Sequence, residues 1–176
     1  MTPGPAAGVE VDREQLVALA VDAARAGDAD TLTRAIRAGV GVNATSPRGD
    51  GLLMLACYYG HEACVRALVA AGADVDQLDR RGQTPLAGVA FKGLVGVAAE
   101  LVTAGAAIDA RSPDGRTPLM MAAAFNRAEM TGWLLARGAA PDARDAAGLS
   151  ALEIARAMGA HDAVAVLTSP DAPVAS

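Results

Sequence analysis

An apolar face that begins near residue 14 predicts the first helix of the chain. Its residues recur at positions i, i+3, i+4 and i+7, namely Leu16, Leu19, Ala20 and Ala23. That spacing places all four side chains on one side of an α-helix. Gly27 follows, and a glycine just beyond a helical pattern indicates a helix C-terminus because glycine adopts the left-handed conformation without strain.

A second, shorter helix is predicted directly after this stop. Asp28 and Asp30 precede it, and acidic residues suit the positive N-terminal end of a helix. Its apolar side is formed by Leu32, Ala35 and Ile36. Gly39 then ends the helix, so residues 14–39 read as two antiparallel helices separated by a tight turn.

The same arrangement of helix, glycine, helix and glycine returns with a period of 33 residues. The first helix stop recurs as Gly27, Gly60, Gly93, Asn126 and Gly159, and the second as Gly39, Gly72, Gly105 and Gly138. Turn glycines recur as Gly49, Gly82, Gly115 and Gly148, and leucines as Leu53, Leu86, Leu119 and Leu152. Asparagine is the residue next most tolerant of positive φ, so Asn126 fits its series. The shared period predicts a solenoid of stacked helical repeats.

Two copies of Thr-Pro-Leu, at 84–86 and 117–119, begin first helices of the repeats. The threonine hydroxyl can cap the exposed N–H groups of the helix start, and proline fits the first helical position. A 33-residue period with this tripeptide resembles the ankyrin repeat over residues 14–168. The resemblance implies an all-α solenoid of about five helix-turn-helix repeats joined by β-hairpin-like turns.

The expected organisation is a flexible N-terminal tail at 1–13, a repeat domain at 14–168 and a flexible C-terminal tail at 169–176. The repeats are expected at about 14–45, 46–78, 79–111, 112–144 and 145–168. The histidine that the family carries after Thr-Pro-Leu is replaced by Met54, Ala87, Met120 and Glu153. Its hydrogen bonds are therefore expected to be absent. Glycines inside helices, at Gly88, Gly96 and Gly132, each cost about 1 kcal/mol relative to alanine.

Composition narrows the class of protein. Apolar residues make up 52 % of the chain, aromatic residues only 3 %, and the net charge is −5 with no basic run. This balance argues against a nucleic-acid binder, which needs a clustered positive face. Neither a secretory signal nor an apolar run long enough to span a membrane is visible. We expect a cytoplasmic, monomeric protein, and the preference for arginine and alanine favours a bacterial source.

No constellation of residues predicts catalysis, a cofactor or a metal. His61 follows a helix stop, where the ankyrin pattern commonly has histidine, and His161 begins the last helix. Cys57 and Cys64 lack the additional ligands of a zinc site and fit the core as small apolar residues. We therefore expect a protein that is not an enzyme.

Four of the five aromatic residues occupy the last two positions of first helices: Tyr58, Tyr59, Phe91 and Phe125. Lys92 and Met158 fill two equivalent places. The ankyrin resemblance implies that these positions face a concave groove, together with the tips of the turns. The predicted partner-binding residues at the tips are Arg48, Asp50, Arg80, Arg81, Gln83, Asp114 and Arg116. The alternative is that the aromatic rings only cover gaps between alanine-rich helices.

The leading hypothesis is an interaction module that binds an unidentified protein through this groove and these tips. Aromatic side chains would anchor the partner and arginines would orient it, since both residue types dominate interface energies. The alternative, also suggested by the resemblance, is a small bacterial ankyrin protein that supports an oxidative-stress or other enzyme. In that case Cys57 and Cys64 could have a redox role.

Overall fold

The computed structural model describes residues 12–169, so most of the predicted tails at 1–13 and 169–176 lies outside the described residues. The described chain folds into five helix pairs. Their bounds are α1 Arg13–Ala26, α2 Ala29–Arg37, α3 Leu52–Tyr59, α4 Glu62–Ala70, α5 Pro85–Lys92, α6 Val95–Thr103, α7 Pro118–Ala124, α8 Ala128–Leu135, α9 Ala151–Ala157 and α10 His161–Leu167. Arg13, assigned above to the tail, is the first residue of α1, and Asp12 caps that helix.

The helix pairs stack in chain order. Each first helix packs on the next first helix, from α1 through α3, α5 and α7 to α9. The second helices form a parallel outer row, from α2 through α4, α6 and α8 to α10. Each second helix also packs against the first helix of its own pair. The predicted all-α solenoid with a 33-residue period is confirmed.

The connections between pairs end in tight, hairpin-like tips. At the first tip, the Gly49 N–H donates to the Ser46 carbonyl over 2.7 Å, and the Ser46 N–H donates to the Asp50 carbonyl over 2.9 Å. The same pair of bonds closes the tips at 79–83, 112–116 and 145–149. Thr45 and Gly51 form the one antiparallel bridge among residues 12–169. The tips therefore have hairpin geometry without extended strands.

The first helices begin as the Thr-Pro-Leu motif predicts. The hydroxyl oxygens of Thr84 and Thr117 each accept a hydrogen bond, over 3.3 Å, from the backbone N–H three residues later. The residues that replace the family's histidine form bonds of their own at two sites. The Glu153 carboxylate accepts from the Ser150 N–H over 2.7 Å, and the Met120 sulfur accepts from the Thr117 N–H over 3.5 Å. Other contacts thus replace part of the missing histidine network.

The core is built from small and branched side chains. Its largest fully buried members are Leu32, Leu52, Leu53, Leu68, Leu86, Leu101, Leu119, Met120, Met130, Leu134, Leu135 and Val65. Buried alanines lie between them on every first helix. Small residues at these positions allow neighbouring helices to approach closely, and no large aromatic side chain is needed to fill the interior.

A ladder of side-chain caps joins successive repeats on the outer loops. The Asn43 side-chain oxygen accepts from the Asp74 N–H over 2.9 Å. The carboxylates of Asp76 and Asp109 accept in the same way from the N–H groups of Ala107 and Ala140, each over 3.1 Å at the shorter contact. Each bond spans 31 residues of sequence. The ladder therefore ties the outer loop of each pair to that of the next.

Candidate functional site

A groove of about 810 Å³ runs across the first-helix row and the tips. It is lined by residues of α1, α3, α5 and α7, by Phe125 directly after α7, and by the turns that precede α3, α5 and α7. Nine of the predicted partner-binding residues line it: Arg48, Asp50, Tyr58, Tyr59, Arg81, Gln83, Phe91, Arg116 and Phe125. The structure does not bring Arg80, Lys92, Asp114 or Met158 into the lining.

The aromatic residues form two pairs on the groove. Tyr58 and Tyr59 lie edge to face with ring centroids 5.4 Å apart, and Phe91 and Phe125 do so at 4.3 Å. Tyr58, Tyr59 and Phe125 keep 43 %, 51 % and 41 % of their surface exposed, while Phe91 is half-buried against the core. Phe91 therefore agrees with the alternative interpretation, in which an aromatic ring covers a gap between alanine-rich helices. The other three rings remain accessible to a partner.

Lys92 lies beside the groove rather than in it. Its Nζ atom stands 4.0 Å above the centre of the Tyr58 ring, the geometry of a cation–π contact. This contact spans from α5 to α3 and fixes one face of the tyrosine. The exposed remainder of the Tyr58 ring is thereby held in a defined orientation.

Two arginines of the tips, Arg80 and Arg116, contact polar groups of the chain with their guanidinium groups, and two others do not. Arg80 donates to the Pro47 carbonyl over 2.9 Å and lies across Gly49, so it braces one tip against the next. Arg116 lies 3.4 Å from Asp114 and 3.8 Å from Asp145. Within residues 12–169, the guanidinium groups of Arg48 and Arg81 have no carboxylate within 4.0 Å and no hydrogen bond.

Aspartates shape the tips. A hydrogen bond from the Ser112 hydroxyl is the main cause that lowers the pKa of Asp114, with the Arg116 guanidinium adding to it. Asp79 accepts from the N–H groups of Arg81 and Gln83 over 2.8 and 2.9 Å. Both carboxylates hold the turn conformation that presents Arg81 and Arg116 toward the groove.

Six residues that line the groove are not among the predicted partner-binding residues: Arg25, Met54, Leu55, Asp79, Gly88 and Met121. Arg25 lies 33 residues before Tyr58 and so occupies the same place in the first pair. Extending the register backward would have found it. Gly88 also lines the groove, at the position that Leu55 and Met121 fill in the neighbouring repeats. It was interpreted above only as a weak point of α5.

The remaining candidates lie elsewhere. Met158 is 60 % exposed at the end of α9 and His161 is exposed at the start of α10. His61 is half-buried, and its Nε2–H donates to the Arg25 carbonyl over 2.8 Å, which joins the first two repeats. This bond gives His61 a structural role between the two repeats.

Both cysteines are buried and free. Burial raises the pKa of the Cys57 thiol to about 12 and also raises that of Cys64. The thiolate is the reactive form, so this environment lowers the reactivity of both sulfurs. Among the described residues no group of three or more His, Cys, Asp or Glu side chains is placed to hold a metal ion. In the same part of the chain, no helix has the length and apolar character that crossing a membrane requires.

Comparisons with known proteins agree with this architecture. A family model for ankyrin repeats in three copies matches residues 20–112, more than half of the chain. A second, for ankyrin repeats in many copies, matches residues 101–155. The chain belongs to the ankyrin repeat family, whose members generally mediate protein–protein interaction and are typically not enzymes.

One relative is a Pseudomonas aeruginosa protein whose name describes it as an ankyrin repeat protein. The two chains are 45 % identical over 66 residues, which is 38 % of this chain and 39 % of the relative. The match thus spans well under half of either protein. It supports the repeat architecture and a bacterial relationship.

Proposed function

We propose that this chain is a non-enzymatic interaction module that binds a protein partner in the groove formed by α1, α3, α5 and α7. The observation that carries the proposal is the placement of the aromatic residues. A chain with 3 % aromatic residues puts Tyr58, Tyr59 and Phe125 together on one concave surface and leaves each more than two-fifths exposed. Exposed apolar residues that cluster in this way mark interaction sites more often than isolated ones do.

The arrangement has the anatomy of a protein interface. Rigid aromatic rings supply contact area at low cost in conformational entropy, and arginines at the rim supply charged donors. The rings sit on helices and the arginines on closed turns, so both are positioned before a partner arrives. Preorganisation of this kind lowers the entropy lost on binding.

The test is capture of partners from a cell lysate by the immobilised chain. The groove variant combines Tyr59→Ala and Phe125→Ala. The matched control combines Leu78→Ala and Leu149→Ala, which remove exposed apolar side chains that do not line the groove. Because truncation of an interface anchor costs about 2 kcal/mol or more, the groove variant should lose its specific partners.

The control variant should retain the same proteins, identified by mass spectrometry. Circular dichroism should show equal helix content for all three chains. If the groove variant keeps every protein that the wild-type chain captures, the partner binds elsewhere and the proposal is wrong.

A further inference from the structure

We infer that the groove takes an extended acidic peptide segment that places one apolar side chain against Gly88. This inference rests on the proposed function, because it names the chemistry of the partner for the same groove. Two independent observations carry it, the sign of the charge along the groove and a gap in its floor.

Arginines outnumber aspartates in the lining of the groove. Its lining includes four arginines, Arg25, Arg48, Arg81 and Arg116, against two aspartates, Asp50 and Asp79. Arg25 forms an ion pair with Asp22, and Arg116 with Asp114 and Asp145, so the positive charge that no carboxylate of residues 12–169 compensates within 4.0 Å is that of Arg48 and Arg81. Electrostatic complementarity selects partners by the sign of their charge and speeds their association, so this surface favours a negatively charged segment.

Two of these arginines are available to a ligand. Arg48 and Arg81 are exposed, and their guanidinium groups have neither an ion pair nor a hydrogen bond among residues 12–169. Their tips precede α3 and α5, so they occupy successive positions along the rim. Guanidinium groups bind carboxylates in a bidentate geometry, which matches aspartate and glutamate side chains.

The floor of the groove has a gap at α5. Leu55 and Met121 line the floor on α3 and α7, whereas Gly88 is the equivalent residue on α5. A Cβ at Gly88 would meet only the Met54 sulfur, at 3.7 Å, which is ordinary contact. Leu55 and Met121 each contribute a side chain to the lining and Gly88 contributes none, so the floor has a depression at α5 where an apolar side chain of a ligand can pack.

The dimensions suit an extended chain. Packed helices lie about 8–10 Å apart, so the four first helices that line the groove span about 24–30 Å. An extended peptide covers that length with about seven to nine residues, at roughly 3.3 Å each. Such a segment can reach Arg48 and Arg81 with separate carboxylates while an apolar side chain near the second carboxylate lies opposite Gly88, which is in the same repeat as Arg81.

The experiment selects ligands without assuming their sequence. A display library of random peptides of about 12 residues, long enough to span the groove when extended, is selected on the immobilised full chain. The enriched peptides are then synthesised with a fluorescent label, and their affinities are measured by fluorescence anisotropy. We expect them to be net negative with an apolar residue close to an acidic one, and to bind more weakly as sodium chloride is raised.

Three variants test the contacts. Combined Arg48→Glu and Arg81→Glu should weaken binding by about tenfold or more, because it places like charges opposite the peptide. The matched control, Arg13→Glu with Arg37→Glu, makes the same change in net charge at exposed sites outside the groove and should leave affinity within about twofold. Gly88→Leu should fill the depression and also weaken binding by about tenfold, since it occupies the space that the apolar side chain needs.

Three outcomes would overturn this inference, and the first of them would leave the proposed function standing. Neutral or basic peptides that lose binding in the Tyr59→Ala, Phe125→Ala variant would overturn the acidic assignment and leave the groove as the binding site. A library that yields no groove-dependent peptide would overturn both. An oligodeoxythymidine strand that displaces the selected peptides at equal concentration would also overturn the inference, because the groove would then select phosphate rather than carboxylate.

Discussion

Asn126 occupies a place that glycine holds in the other repeats, and its side chain uses that place in a way that glycine could not. Its φ of 54° makes it the one non-glycine residue with positive φ among residues 12–169. The side-chain oxygen accepts from the Ala163 N–H over 2.9 Å, and the amide nitrogen donates to Asp162 over 2.8 Å. Since Ala160 has no side-chain acceptor with which to cap α10, Asn126 caps that helix from the preceding repeat.

Substitutions at Asn126 should separate the backbone effect from the cap. Asn126→Gly keeps the left-handed conformation but loses the cap, at a cost of about 1 kcal/mol. Asn126→Ala loses the cap and also strains the backbone, at a further cost of about 1 kcal/mol. The free energy of unfolding in urea should therefore fall in the order wild type, glycine variant, alanine variant. A glycine variant as stable as wild type would show that the cap contributes nothing.

Single residues also show where the sequence was informative about the site. Tyr59 and Phe125 could be placed on the groove because the helical register and the ankyrin resemblance fix the direction of each position. Arg80 could not be separated from Arg81 in this way. Arg80 reaches the Pro47 carbonyl of the preceding repeat, and that contact depends on the spacing between tips rather than on local pattern.

At the scale of the helix, glycines have two roles: one kind lies inside a helix, where alanine fits, and the other ends a helix, where alanine does not. Gly88 lies inside α5, and a Cβ there would make only an ordinary contact with the Met54 sulfur at 3.7 Å, so alanine fits there. Gly27 ends α1 at a φ of 80°, and a Cβ there would lie 2.7 Å from the His61 ring. The spacing of the stop glycines predicted the second role from the sequence. It could not show that Gly88 also opens the groove floor.

The two glycines should respond oppositely to alanine. Gly88→Ala should stabilise the protein by about 0.5–1 kcal/mol, because alanine loses less backbone entropy in a helix. Gly27→Ala should destabilise it by about 1–2 kcal/mol or more, through the left-handed backbone and the clash with His61. Urea denaturation with an unchanged m-value measures both. A destabilised Gly88→Ala protein would contradict the ordinary contact described for a Cβ at this position of α5.

The start of α9 carries a pH-dependent contribution. Hydrogen bonds from the Ser150 backbone N–H and hydroxyl, followed by the Arg144 guanidinium, lower the pKa of Glu153. Because the folded-state pKa lies below the ordinary value of 4.5, the carboxylate stabilises the fold above about pH 4.5. That contribution disappears as pH falls through the lower, folded-state pKa.

Glu153→Gln should therefore be less stable than wild type at neutral pH, and the difference should vanish in acid. Unfolding in urea, measured at a series of pH values from neutral to about 3, checks this. Glu129→Gln is the matched control, since Glu129 is exposed in α8 and its side chain has no hydrogen bond among the described residues. A gap between Glu153→Gln and wild type that stays constant with pH would contradict the capping role.

At the scale of the whole molecule, repetition made the fold readable from sequence. Four series with one period determined the order and pairing of the helices, because each repeat contacts mainly its neighbours. The ladder of Asn43, Asp76 and Asp109 was not predicted. The signal was present as an amide or acidic residue every 33 positions, but only the structure shows that each caps the next repeat.

The groove is a property of the whole stack, since four repeats contribute to it. The row of arginines on its rim that are unpaired within residues 12–169, and the gap at Gly88, can be recognised only when the tips and first helices of successive repeats are placed side by side. The sequence predicted the aromatic residues that line it and most of its rim. Arg25 and Gly88 joined them because the concave surface extends across α1 and across a position that carries no side chain.

Amide hydrogen exchange of the chain, with and without a bound partner or selected peptide, tests the groove most directly. We predict slower exchange at 48–59, 79–92 and 114–125, which hold the tips and first helices of the groove. Exchange in the outer helices α4, α6 and α8 should change little, as they face away from it. Protection confined to those outer helices, with the three groove segments unchanged, would contradict the account.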